Sequence, residues 1–283
     1  MLTRTLRFLT QSPDGLLHMP PAMDTITSQG TAIGAALAAT TVASGDSFQV
    51  KNAALTSDVW MLNFWTHNLV AGMVRIRSPK MHDNVDALRA RTLIATLDPL
   101  LPLGTKHKFI PQDTMIVELA GSAVGGNIES VVQLMYYADL PGQAGRFIDH
   151  AALWARQKSI IGVRLAITLG TTVGYNGARA INGDVDQLHA NTDYAVLGMT
   201  SDINTAALCL RGPDTGNLRA SVPGSVSLWQ LVDRWFVKLS DEYKMPLIPV
   251  INSANKGATL IDAVNNQAGG TANVTIYLAE LGQ

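Results

Sequence analysis

The chain has 283 residues, of which 47% are apolar and only 15% charged, and it carries a formal net charge of −1. This near-neutrality excludes an extended nucleic-acid footprint, which needs clustered Lys and Arg, and no segment reaches the roughly 20 apolar residues that span a bilayer. Charged residues make up about a quarter of an ordinary soluble domain, so the deficit implies an exterior largely covered by copies of the chain or by other partners.

Residues 1–30 read as an arm, because Thr, Ser, Gln and Gly are mixed with Pro13, Pro20 and Pro21 and no periodicity lasts. Leu6 and Phe8 are its candidate interface residues. The positive start runs into Gln11-Ser12-Pro13-Asp14-Gly15 before an apolar core forms, so no signal peptide is expected.

Residues 31–142 carry mostly β signals: AALAATTV, DSFQVKNA, VWMLNFW, VAGMVRIR, TMIVELAG and IESVVQLMYYADL, each bounded by turn residues. The stretch 84–97 reads as helical until Pro99 and Pro102 break it. Trp60, Phe64 and Trp65 crowd one strand. Period two places apolar residues on both its faces, so this strand is expected to be covered on two sides and to supply interface residues.

Residues 143–164 form a connector with a helical start at Phe147, and Phe147 and Trp154 are its candidate interface residues. Residues 165–283 then repeat the recipe with LAITLGTTV, YAVLGM, AALCLRG, PLIPVIN, ATLIDAV and NVTIYLAEL. Leu228, Leu231, Val232, Trp235, Phe236 and Leu239 fall on one stripe of a helix between the Arg-Gly-Pro turn and the last strands.

The two halves echo one another. Arg77-Ser78-Pro79 answers Arg211-Gly212-Pro213, about 134 residues on. Thr40-Thr41-Val42 answers Thr171-Thr172-Val173, and Gly125-Gly126 before VVQLMYYADL answers Gly269-Gly270 before VTIYLAEL. A repeat this long means two copies of a whole domain. Seven or eight short strands per copy with one helical excursion predict a mainly β fold of two tandem jelly-roll-like β-sandwiches.

Chemistry is sparse. The six histidines, His18, His67, His82, His107, His150 and His189, stand singly, outside any zinc spacing. His82-Asp83 lacks a nucleophile elbow, and the glycines at 121–126 and 170–177 lack the helix and lysine of a phosphate loop. Asp184 and Asp186 lack the terminal Glu of a calcium loop. Lys106-His107-Lys108 reads as a solvated hairpin end, and Cys209 in AALCL as a buried small hydrophobe. Asn273-Val274-Thr275 fits a glycosylation sequon but falls inside a predicted strand. No enzymatic activity, cofactor or metal is expected.

The duplicated sandwiches, low charge and proline-bearing arm resemble the double jelly-roll major capsid proteins of tailless icosahedral viruses, the adenovirus-type lineage. The resemblance spans about 33–283 and rests on architecture. It implies a structural virion protein that assembles in the host cytoplasm as homotrimers within a larger shell, beside other virion proteins, three chains forming a pseudo-hexagonal capsomer. Open alternatives are a minor capsid, decoration, penton or tail protein, or a carbohydrate-binding or adhesin-like sandwich pair.

Overall fold

A computed structural model describes residues 22–31, 43–49, 59–67, 73–78, 80, 83–91, 105, 107–120, 128–137, 145–170, 174–182, 188–203, 205–224, 231–265 and 269–282. Two compact units emerge, one over Thr25–Ala138 and the other over Asp139–Gln283 with the residues up to Asp24.

Among the described residues, eight strands run through the first unit, the opening three residues of the first grouping with the other unit: β1 (Ala22–Thr31), β2 (Ala43–Gln49), β3 (Val59–His67), β4 (Met73–Ser78), β5 (Asp83–Arg91), β6 (His107–Phe109), β7 (Thr114–Ala120) and β8 (Ile128–Tyr137). They build two four-stranded sheets, β1-β8-β3-β6 and β2-β7-β4-β5. The alternation Val74, Ile76 and Met115, Val117 buries one face of the second sheet, while Arg75 and Arg77 lie on the other, partly exposed.

The second unit opens with β9 (Phe147–Ile148) and α1 (His150–Arg156). It continues through β10 (Gln157–Thr168), β11 (Gly174–Ala180), β12 (Asp193–Ser201), β13 (Ala207–Arg211), β14 (Ala220–Pro223), α2 (Trp235–Tyr243), β15 (Ile248–Asn252), β16 (Leu260–Asn265) and β17 (Thr271–Leu281). Its sheets run β10-β17-β12-β15-β9 and β11-β16-β13-β14. Leaving β9 aside, the second unit therefore has the strand order of the first: 1-8-3-6 on one sheet and 2-7-4-5 on the other. This is the jelly-roll connection made twice in one chain.

The correspondence reaches single residues. The two Arg-x-Pro turns close β4 and β13, the Thr-Thr-Val segments directly precede β2 and β11, and the Gly-Gly pairs precede β8 and β17. β2 bulges against β7 between Ala43 and Asp46, and β11 bulges against β16 between Asn176 and Arg179. β3 bulges against β8 between Met61 and Asn63, and β12 bulges against β17 between Val196 and Gly198. A bulge is a costly, specific break in a ladder. Two matched pairs of them tie the halves together far more tightly than the short sequence echoes do.

Four sequence expectations need correction. The segment 84–97 is not helical at its start: 83–91 is strand β5, whose Leu88 and Ala90 pair with Ile76 and Val74 of β4. Sheet pairing here overrides local helix preference. Among the described residues of the connector the α-helix is confined to His150–Arg156, because Gln157 turns extended (φ −63°, ψ 128°) and the β-branched run that follows pairs with β17. Of the predicted helix at 228–239, residues 228–230 lie outside the described residues, and 231–234 are not α-helical. Leu231 adopts φ 54°, a 3-10 turn covers Val232–Arg234, and α2 starts at Trp235, burying Trp235, Phe236 and Leu239. Finally, β1 begins at Ala22, inside the stretch read as an arm. AALAATTV and residues 1–21 lie outside the described residues.

Candidate functional site

The structure sorts the candidate interface residues by burial. Phe64 and Trp65 are fully buried, and Phe147 is buried in β9. These three are core residues of the chain, which corrects their assignment to an intersubunit surface. The reason lies in β3: Phe64 pairs with Gln133 and Trp65 with Val132, on opposite faces, and both faces are already covered. Trp60 is half-buried, with Lys108 Nζ 5.5 Å from its ring centroid. Leu6 and Phe8 lie outside the described residues.

Trp154 is the exception. It is 81% exposed, followed by Ile160 at 56% and Ile203 at 36%, the large hydrophobic side chains standing in solvent among the described residues. Its position follows from α1. Asp149 caps this helix by accepting the Ala152 N–H at 2.7 Å, and Leu153 turns inward. One step of about 100° then carries Trp154 outward beside Ala151 and Ala155, which are also exposed.

The indole lines a concavity of about 450 Å³ together with Asp149, His150, Ala151, Ser240, Asp241 and Lys244. Lys244 Nζ donates to Asp241 Oδ1 at 2.8 Å, and His150 Nδ1 lies 3.6 Å from the same oxygen. The Lys244 hydrogen bond, with its charge, holds the Asp241 carboxyl below its ordinary range. Ser240 Oγ accepts the His150 N–H at 3.1 Å and donates to the Met245 carbonyl at 2.6 Å, which locks α1 to the end of α2.

The chain leaving α1 becomes β10, an edge strand of its sheet among the described residues. Gln157, Lys158, Ser159 and Ile160 are all exposed, so both faces at the start of this edge meet solvent. A long strand edge of this kind offers backbone donors and acceptors to another chain.

Behind the surface, among the described residues, lie a matched pair of acid–arginine contacts, one in each sandwich, and one further buried charge system, all of which the sequence reading missed. Glu118 of β7 accepts from Arg75 Nε, from Arg77 Nη2 at 2.7 Å and from Arg77 Nε at 3.0 Å. Desolvation pushes its pKa up, but the hydrogen bonds from Arg75 and Arg77 outweigh it and hold the carboxyl below the usual range. Asp262 of β16 accepts from Arg211 Nε at 2.6 Å and Arg219 Nε at 3.0 Å, while Arg219 stacks 4.1 Å from the Tyr175 ring. In the further system, Arg146 binds Asp193 through two nitrogens at 3.0 and 2.7 Å. Asp214 accepts the Asn252 N–H and Asn255 Nδ2, both at 3.0 Å. These webs fix turns. The signal for the first was the arginine of each Arg-x-Pro echo, which needs a buried acid once its strand joins a sheet.

The remaining candidates scatter. His67 is buried, His107 sits edge-on to Phe109, and His189 Nδ1 lies 3.2 Å from Glu280 with its ring largely exposed. Burial pushes the Cys209 thiol far up. Asn273 is held in β17 by Asp202 at 2.6 Å and 2.8 Å. His18, His82, Lys106, Asp184, Asp186 and the 121–126 loop lie outside the described residues. Among the described residues, no group of three or more His, Cys, Asp or Glu is gathered to hold a metal ion, and no helix is long and apolar enough to cross a membrane.

The fold is thus a duplicated jelly roll. No protein-family model matches the chain, and no curated protein matches it. Among solved structures it is similar to the PBSX exported protein XepA, at 7% identity over 90% of this chain and 86% of that one, with a TM-score of 0.27. It is also similar to the major capsid protein P2 from Bacteriophage PM2, at 8% identity over 91% and 98% of the two chains, TM-score 0.23. A third is the major capsid protein of STIV, at 7% identity over 93% and 96%, TM-score 0.19. Likenesses this faint carry no weight for function. The twin jelly rolls rest on this chain's own strand order.

Proposed function

We propose that this chain is a structural virion protein, a major capsid protein whose trimers form pseudo-hexagonal capsomers of an icosahedral shell. The observation that carries the reading is the duplication: two jelly rolls matched in strand order, bulge positions and buried acid–arginine contacts within one polypeptide. Three such chains around a threefold axis present six similar sandwiches, the arrangement that lets one gene product tile a hexagonal position. The low charge of the sequence supports an exterior meant to be covered.

The exposed edge of β10 with Ile160, the half-buried Trp60 and the arm residues Leu6 and Phe8 are the surfaces assigned to neighbours. Individually weak contacts add up through multivalency. The partners are other copies of this chain and further virion proteins, with no extended nucleic-acid contact. The protein works in the virion after assembly in the host cytoplasm. Size-exclusion chromatography with light scattering, followed by electron microscopy of concentrated protein, tests the reading. A trimer and shell fragments or tubes are expected; a monomer that persists at high concentration and forms no assemblies overturns it.

A further inference from the structure

We infer that the concavity beside Trp154 binds a neutral saccharide. Four features of the site converge on this ligand class. The indole is 81% exposed on a helix whose anchoring is done by Leu153, so the fold does not need the ring there. A flat, exposed indole is a surface on which the C–H face of a pyranose stacks, and Trp suits a place where one side is apolar and the other wet. The volume, about 450 Å³, falls in the range of small-molecule sites, roughly 300–1,000 Å³.

The rim supplies the polar half. Asp241 is pinned by Lys244 Nζ at 2.8 Å and flanked by His150 Nδ1 at 3.6 Å. Its second carboxylate oxygen accepts hydroxyl protons, and the ammonium of Lys244 keeps further protons to donate to hydroxyl oxygens. Acceptor and donor side by side, next to an aromatic floor, match the alternating donor and acceptor character of vicinal hydroxyls. A purely apolar partner would have to desolvate Asp241 and Lys244 without replacing their water contacts. Two carboxylates, Asp149 and Asp241, stand against the one ammonium of Lys244 in the lining, which selects against sialylated or otherwise anionic sugars. The site does not depend on the shell reading, since it lies within one unit of a single chain.

The test applies the full-length chain, Trp154→Ala, Trp154→Phe and Asp241→Asn to an array of immobilised neutral and sialylated oligosaccharides, with light scattering on the same samples. The unsubstituted chain is expected to be retained on neutral saccharides. Trp154→Ala is expected to lose about tenfold or more of that retention, Trp154→Phe to keep part of it, and Asp241→Asn to weaken it, with melting temperatures unchanged because both side chains are exposed. Absence of retention on every saccharide, preference for sialylated ones, or equal retention of Trp154→Ala overturns the proposal. So does a Trp154→Ala chain that loses its oligomer while binding sugars as before, since Trp154 would then be a subunit contact.

Discussion

Glu118 and Asp262 hold the same station in two different sandwiches. Glu118 lies on β7 opposite Arg75, facing the β2 bulge, and binds the arginine of Arg77-Ser78-Pro79. Asp262 lies on β16 opposite Cys209, facing the β11 bulge, and binds the arginine of Arg211-Gly212-Pro213. In each sandwich the acid ties an Arg-x-Pro turn to the strand beside it. β4 ends at Ser78 and β13 at Arg211, just ahead of the proline of each echo in the sequence.

Removing this acid is expected to be costly. Glu118→Gln leaves Arg75 and Arg77 sharing a neutral amide, and a loss of about 3 kcal/mol is expected by denaturant unfolding. Asp262→Asn, with Arg211 and Arg219 as the stranded partners, is expected to act in the same direction.

Acid should reproduce part of that loss. The folded-state pKa of Glu118 is depressed, so its contribution is full above the unfolded value near 4.5 and disappears as pH falls through the lower folded value. Thermal melts of the unsubstituted chain and Glu118→Gln taken from neutral pH downward are expected to converge below the ordinary glutamate range. Curves that stay parallel would deny the carboxylate this role.

Gln133 offers a gain in stability. It is buried, and neither amide atom finds a hydrogen-bond partner among the described residues, while its register twin on β17 is Ile276. Gln133→Ile copies the twin and removes an unmatched polar group, so a stabilisation of about 1–2 kcal/mol is expected. Calorimetry checks it.

Gly198 is the opposite case. A Cβ there would stand 2.1 Å from the Val232 carbonyl oxygen, inside the 3-10 turn that leads to α2. Gly198→Ala is expected to destabilise by roughly 2 kcal/mol or more, with weakened protection of α2 amides in hydrogen exchange. Its register twin Asn63 carries a side chain on β3, so the demand is local to the second unit.

Ile160 separates folding from assembly. It is 56% exposed on the edge strand β10, so Ile160→Lys should leave unfolding within about 0.5 kcal/mol of the parent. If β10 meets a neighbour, the same change should lower the oligomer fraction seen by light scattering. An unchanged oligomer removes β10 from the interface.

Strand composition, turn residues and the Arg-x-Pro, Thr-Thr-Val and Gly-Gly echoes sufficed to reveal a mainly β chain built twice, because alternation and turn chemistry are local properties that survive in linear order. The stretch 84–97 looked helical and its start became part of β5, since which neighbour a segment pairs with is settled by strands far away in sequence. Phe64, Trp65 and Phe147, read as interface candidates, lie in the core for a related reason. Trp65 and Trp154 are indistinguishable as apolar letters, and only the packing of both faces of β3, set against the open outer face of α1, buries one and leaves the other in solvent. The site around Trp154 was equally invisible, because it joins residues 149–154 to 240–244 across a gap that only the docking of α1 against the end of α2 closes.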